Sequence, residues 1–222
     1  MNQITGAIFD LDGTLTDSMF IWDECLDEVL RRYFHTTREQ MDQGMVQKMD
    51  TAPISMSVPM LCEYFSSSVD PKEILDMMNE YFRDFYCNKI ELKDGVRELL
   101  EHLRKKGVRM CVASASSPES VRAALRHCGI EDHFCAVLTC DDVKKSKEYP
   151  DIYEVALSLL HTPKETTWIF EDAVIALRTA NRMGMNTVGI YDAGQKEQEE
   201  IRSLSNIYVD RGADHRKLIS CF

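Results

Sequence analysis

GAIFDLDGTLTD, residues 6–17, is a short apolar run that stops abruptly at two aspartates, Asp10 and Asp12, followed by a glycine and a hydroxyl residue. In an extended chain alternate residues share a face, so both carboxyl groups leave on the same side. Like charges side by side at a strand end repel, and a cation is the usual remedy: Mg2+ takes carboxylate oxygens and keeps several waters. Gly13 permits the tight turn that follows, where backbone N–H groups come within reach of an anion. An Asp-rich turn capping a helix is the plainer alternative, for which Thr16, Asp17 and Ser18 qualify in their own right.

The periodicity of the remaining chain sets this stretch in a fold. From Leu92 onward strand-like runs at 108–114, 135–139, 166–170 and 186–191 alternate with amphipathic segments near 94–106, 118–128, 150–161 and 173–183. Such alternation predicts an α/β fold, a parallel sheet flanked by helices. Ser117-Pro118-Glu119 and Pro150-Asp151 mark helix starts, and Gly107, Gly129 and Gly184 follow helix ends. Residues 17–90 are helical in period, with no convincing strand. The expected organisation is therefore an α/β core of residues 1–16 and 91–222, with an all-helical domain of residues 17–90 inserted after the first strand. An insertion there sits beside the carboxyl ends of the strands, where open α/β sheets bind ligands, and would serve as a lid.

Composition narrows the partners. With 222 residues and 44% hydrophobic content the chain can fill a core without staples. Its eight cysteines are scattered, without a CxxC pair, and are expected to be reduced and mostly buried. A net charge of -11 argues against nucleic acid, which is held by clusters of Lys and Arg, but not against a small phosphorylated metabolite in one cleft. Neither a signal peptide nor an apolar run of membrane-spanning length is present, so a cytoplasmic protein without a membrane partner, a monomer or weak homodimer, is the expectation.

Three further places carry chemistry. Ser114 ends the run VRMCVAS before a helix, where a hydroxyl and free helix N–H groups can hold a phosphate; Ser116 or Ser117 is the better cap. Lys144, Lys145 and Lys147 precede the helix beginning at Pro150-Asp151, and one of them is a natural counter-charge for a phosphoryl group and nearby carboxylates. Glu171 and Asp172 follow the strand-like TTWIF and repeat the logic of the first acidic pair. Two acidic pairs at one sheet edge call for a divalent cation.

In this order Asp10-Leu-Asp-Gly-Thr14, Ser114, Lys147 ahead of a Pro-Asp helix start, and Glu171-Asp172 resemble the four motifs of the haloacid-dehalogenase superfamily. The helical insertion resembles the small cap of the subgroup containing β-phosphoglucomutase and phosphoglycolate phosphatase. The resemblance implies a Rossmann-like core and a Mg2+-dependent phosphatase acting on a small phosphate monoester of sugar phosphate, nucleotide or phosphoglycolate type. It implies that Asp10 is the nucleophile, forming an aspartyl-phosphate, and Asp12 the general acid and then base. Mg2+ would be held by Asp10, the backbone carbonyl of Asp12, Asp172 and Glu171, the last directly or through water. Ser114 and Lys147, with Gly13, Thr14 and Ala115, would bind the transferring phosphoryl group. A hexose phosphate mutase is the alternative within the class. Against it, Phe20-Ile21-Trp22 stands where mutases of the subgroup carry a histidine, and no arginine occurs between Arg38 and Arg83. A non-catalytic phospho-ligand-binding relative would have lost Asp10, Asp12, Lys147 or Asp172, and a phospho-accepting receiver domain would lack the insertion. Glu148 places an unexpected negative charge beside Lys147. Met19, Trp22, Met45, Met49 and Met56 are candidates for an apolar specificity surface or for core.

Overall fold

The first strand, β1 (Gly6–Phe9), occupies the middle of a six-stranded sheet, flanked by β4 (Arg109–Ser114) on one side and β6 (Thr167–Glu171) on the other. The structure, a computed structural model, describes residues 3–42, 44–46 and 54–222, for residues 54–56 the backbone only. The strand order is β5-β4-β1-β6-β7-β8, with β5 (Ala136–Thr139), β7 (Asn186–Ile190) and β8 (Ile207–Val209), and every pairing is parallel. All four strand-like runs read from the sequence are strands of this sheet.

The reason the strands read as unbroken apolar runs is that both faces of the sheet are covered. Ile8, Cys111 and Ile169 pack on one face against Ile152, Tyr153, Ala156 and Leu160 of α7 (Asp151–Leu160) and Ala176 and Ala180 of α8 (Val174–Arg182). On the other, Phe9 and its register partner Phe170 stack at 4.2 Å, and Phe134 meets Phe9 edge-on at 6.0 Å. Buried Leu99, Leu100 and Leu103 lie on α4 (Val96–Lys105), and Val121 and Leu125 on α5 (Pro118–His127). Ser117 caps α5, its hydroxyl accepting the amide of Ser120 at 3.2 Å. Two shorter helices of the same part of the chain are the single turn α6 (Cys140–Val143) and α9 (Gln198–Leu204).

The chain divides into two compact units, Met1–Met19 with Tyr86–Phe222, and Phe20–Phe85. The second is helical: α1 (Phe20–Val29) runs into a wider turn at Leu30–Phe34, followed by α2 (Ile54–Tyr64) and α3 (Pro71–Asn88), whose last turn belongs to the first unit. Aromatic pairs tie this unit together, Trp22 to Phe82 at 4.5 Å and Phe34 to Phe65 at 4.7 Å. Met45 is buried, Trp22 is 38% exposed, and Met49 and the side chain of Met56 lie outside the described residues.

Two features depart from the sequence reading. A ribbon of β2 (Thr16–Asp17) and β3 (Glu91–Leu92), antiparallel and two residues a side, pairs the segments where the chain leaves and re-enters the first unit. Two residues are too few to leave a period, and their partners are far apart in sequence. The cysteines are only half buried: Cys25, Cys62, Cys111 and Cys128 are, whereas Cys87 and Cys135 are exposed, and none is in a disulfide. Among the described residues no helix is long and apolar enough to cross a membrane.

Candidate active site

The register of the sheet assembles the site. Phe9 pairs with both Val112 and Phe170, so β1 releases its chain one residue later, at Asp10, beside the ends of β4 at Ser114 and β6 at Glu171. The amide of Asp10 still donates to the carbonyl of Phe170, at 3.0 Å, which fixes where its side chain emerges. This is the point where the sheet order reverses direction around β1, the crevice that open α/β sheets use for ligands.

Four carboxyl groups, those of Asp10, Asp12, Glu171 and Asp172, are buried here. Of the three lysines before α7, Lys147 is the buried one, donating to Asp10 Oδ1 and, at 2.6 Å, to Glu171 Oε1. Lys145 instead pairs with Asp151 on the surface at 2.6 Å, and Glu148 is exposed, using its carbonyl to accept from Thr179 and Arg182. Glu171 spends its other oxygen on the amides of Asp172 and Ala173, both at 2.9 Å, which locks the turn after β6. Asp172 accepts from Thr14 Oγ1 at 3.2 Å and from Gln195 Nε2 at 2.9 Å.

The charges do not balance. Burial, reinforced by Glu171 and Asp12, pushes Asp10 up to about 7 even though Lys147 opposes the shift. Burial and the charges of Glu171 and Asp10 hold Asp172 well above the usual carboxylate range. For Lys147, burial would depress the ammonium, but Asp10 and Glu171 outweigh it and keep it firmly protonated. Carboxyl oxygens of Asp10, Glu171 and Asp172 lie within 4.8 Å of one another. A buried, all-oxygen donor set with surplus negative charge fits a hard divalent cation, whose presence would return Asp10 and Asp172 to their ionised forms.

Asp12 stands apart from that cluster. Its Oδ1 accepts from Ser18 Oγ at 2.7 Å and from Tyr86 Oη at 2.8 Å, and its Oδ2 from Ser116 Oγ at 2.6 Å. Ser116 is aimed by its own amide, which donates to Ser114 Oγ at 3.0 Å. Burial and the neighbouring Asp12 push the Tyr86 phenol far up, so it remains a donor. Gly13, at φ +81°, leaves room for Asp172: a Cβ there would overlap the Asp172 carboxyl group. Its N–H closes the turn onto the carbonyl of Thr16 at 3.0 Å. Ala115 sits exposed in the bend between Ser114 and Ser116.

The side chains that sequence reasoning did not place in the site are Tyr86, Ser116, Ser18, Gln195 and Tyr153. Tyr153 is buried beside Lys147 and Glu171, and its hydroxyl has no hydrogen-bond partner among the described residues. Ser116 and Ser18 read as helix caps, while Tyr86 and Gln195 carry no local signal at all, because their partners are 74 and 23 residues away.

The model of one protein family, the haloacid dehalogenase-like hydrolases, matches residues 7–190. The chain belongs to that family. Relatives of similar sequence include a phosphorylated-carbohydrate phosphatase of Thermotoga maritima, 24% identical over 182 residues with 82% of each chain covered, and the fructose-1-phosphate phosphatase of Escherichia coli, 27% identical over 191 residues, covering 85% of this chain and 97% of the other. The fold is that of CbbY from Rhodobacter sphaeroides, solved with xylulose 1,5-bisphosphate, at a TM-score of 0.74, 22% identity and 95% coverage of both chains. Within the haloacid dehalogenase-like frame, the strand-end acidic cluster lies inside the matched region.

Proposed function

We propose that this chain is a Mg2+-dependent phosphatase that hydrolyses a small phosphate monoester through an aspartyl-phosphate on Asp10. The observation that carries the reading is the pairing of two unlike aspartates at the end of β1: Asp10, held by Lys147 inside the acidic cluster, and Asp12, whose carboxyl group is held by hydroxyl groups among the described residues.

The division of labour follows from that difference. A carboxylate oxygen of Asp10 attacks phosphorus as the bond from phosphorus to the leaving oxygen breaks, and Asp12 delivers a proton to that oxygen. Water then attacks the phosphoryl group on Asp10, Asp12 takes its proton, and phosphate leaves with Asp10 restored. Lys147, with the hydroxyl of Ser114 and the turn at Gly13 and Thr14, neutralises and seats the phosphoryl oxygens. Asp10, Glu171, Asp172 and the carbonyl of Asp12 would hold Mg2+, which supplies charge compensation for the phosphoryl group and keeps Asp10 ionised. The helical unit Phe20–Phe85 serves as the cap that selects the leaving group.

A phosphorylated carbohydrate is the favoured substrate class, since two relatives are named for phosphatase activity on such compounds and a structural neighbour was solved with a pentulose bisphosphate. The test is phosphate release from sugar phosphates, nucleotides, phosphoglycolate and an aryl phosphate, with Mg2+ or EDTA, for wild type and Asp10→Asn. Release that requires Mg2+ and vanishes in the variant is the expected result. Interconversion of glucose phosphates in the presence of a bisphosphate, with little free phosphate, would replace the phosphatase reading by a mutase.

A further inference from the structure

We propose that Tyr86 and Ser116 are positioning residues for Asp12, holding its carboxyl group in the orientation from which it protonates the leaving oxygen. The inference rests on the phosphatase reading and adds to it two residues that lie outside the four motifs.

Asp10 has an ammonium partner, whereas no ion pair reaches Asp12 among the described residues. Its two oxygens are instead taken from three sides, by Ser18 only six residues away and by Tyr86 and Ser116 from 74 and 104 residues away. Ser18 follows directly on β2, only a few residues along the chain from Asp12. Tyr86 and Ser116 come from other elements, the last turn of α3 and the bend after β4, so they are the groups that tie Asp12 to the rest of the first unit. Their oxygens lie 3.5 Å apart, which makes them one continuous wall against the carboxyl group.

Hydroxyl groups suit an acid that must become a base. An ammonium or guanidinium only donates and would favour the ionised carboxylate throughout. A hydroxyl donates to the carboxylate, yet its oxygen accepts if the carboxyl group carries the proton, so the same contacts survive both halves of the cycle. Both groups are also fixed. Tyr86 is 2% exposed, and Ser116 is tethered through its amide to Ser114, whose position is set by the end of β4. Asp12 is thus braced from the last turn of α3 and, through Ser116 and Ser114, from the end of β4. Orientation of this kind is worth a great deal, because displacement of a reacting group by about 1 Å costs on the order of a hundredfold in rate.

The test separates proton delivery from general structure by leaving group. The value of kcat/KM covers steps up to release of the alcohol, and so contains protonation of the leaving oxygen but not hydrolysis of the aspartyl-phosphate. It is measured for wild type, Tyr86→Phe, Ser116→Ala and the double variant on the best sugar phosphate of the panel and on 4-nitrophenyl phosphate, whose leaving group departs without help. Thermal melting of each variant records its folded state. The expected result is a loss of about tenfold to a hundredfold on the sugar phosphate for each single variant, within the range general acid catalysis supplies. The loss on 4-nitrophenyl phosphate should be at least about fivefold smaller, reflecting the weaker need for an acid. Equal losses on both substrates, or no loss on either, overturn the inference while leaving the phosphatase reading in place. A wild type that turns over neither substrate overturns that reading, and this inference with it.

Discussion

Lys147 donates to Asp10 and to Glu171 at once, so a single buried ammonium serves two strand ends, β1 and β6. Its removal leaves four buried carboxyl groups with no ammonium or guanidinium paired to them among the described residues. Breaking a buried pair by deleting one partner costs about 3–5 kcal/mol, because the remaining charge is stranded. Lys147→Met should therefore destabilise the metal-free chain by about that amount in urea unfolding. Activity should fall by at least about a hundredfold, as for loss of a preorganised charge. An activity loss without a stability loss would mean that Lys147 meets its carboxylates only when substrate is bound.

The acidic cluster predicts cation-dependent stability that is independent of turnover. A ligand that binds only the folded chain adds about 2.7 kcal/mol at a hundred times its dissociation constant, so melting in Mg2+ should exceed melting in EDTA. Asp172→Asn should erase the difference. Gln195 donates to Asp172 Oδ2 at 2.9 Å and so orients a candidate ligand. Outer partners of this sort are worth about tenfold to a hundredfold in metal affinity, and Gln195→Leu should weaken Mg2+ binding in calorimetry by a factor in that range. An unchanged affinity would show that Asp172 is oriented by Thr14 alone.

The metal-free protein should be less stable at neutral than at mildly acid pH on account of Asp10. Burial raises this carboxyl group from 3.8 to about 7, so between those values the folded chain binds more protons than the unfolded one. Stability from this group is complete below about pH 4 and is lost as pH rises through 7. The shift corresponds to on the order of 4 kcal/mol. Because other groups titrate in the same window, the quantity to compare is the difference between wild type and Asp10→Asn in EDTA at pH 5 and pH 7.5. Wild type should lose ground on the variant at the higher pH, and Mg2+ should abolish that loss. A difference that stays constant across the range would place Asp10 in a wetter site than the structure describes.

How much of this was readable beforehand depended on whether a residue's role is local. The strands announced themselves because burial on both faces makes each a short unbroken apolar run, and glycines such as Gly107, at φ +76°, stand where helices stop. Asp10, Lys147 and Glu171 were legible because each lies at a strand end or just before a helix, where side chains meet across a parallel sheet. Tyr86 was not, since an aromatic residue on an amphipathic helix reads as core, and it is also core: the ring is buried while the hydroxyl reaches Asp12. The β2–β3 ribbon escaped for a related reason, its pairing joining residues about 75 positions apart through four residues in all.

The C-terminal segment supports the turn after that ribbon, and Gly95 is where this can be tested. The residue has φ +78°, and a Cβ there would overlap the carboxyl group of Asp214 and come within 2.7 Å of the amide of Arg216. Asp214 cannot retreat freely, because its Oδ1 caps the final turn by accepting that amide at 2.8 Å, while the amide of His215 donates to the carbonyl of Asp94, also at 2.8 Å. Gly95→Ala thus combines backbone strain, on the order of 1 kcal/mol or more, with a steric clash, and should destabilise the fold by about 2–4 kcal/mol. In an Asp214→Ala background the overlap with the carboxyl group is removed while the strain and the close approach to the Arg216 amide remain, so the cost of Gly95→Ala should drop by about 1 kcal/mol without vanishing. Urea unfolding of the four proteins of this cycle gives the coupling directly. Additive costs would show that the C-terminal turn does not press on Gly95 in solution, and that its contact with the β3 end is dispensable.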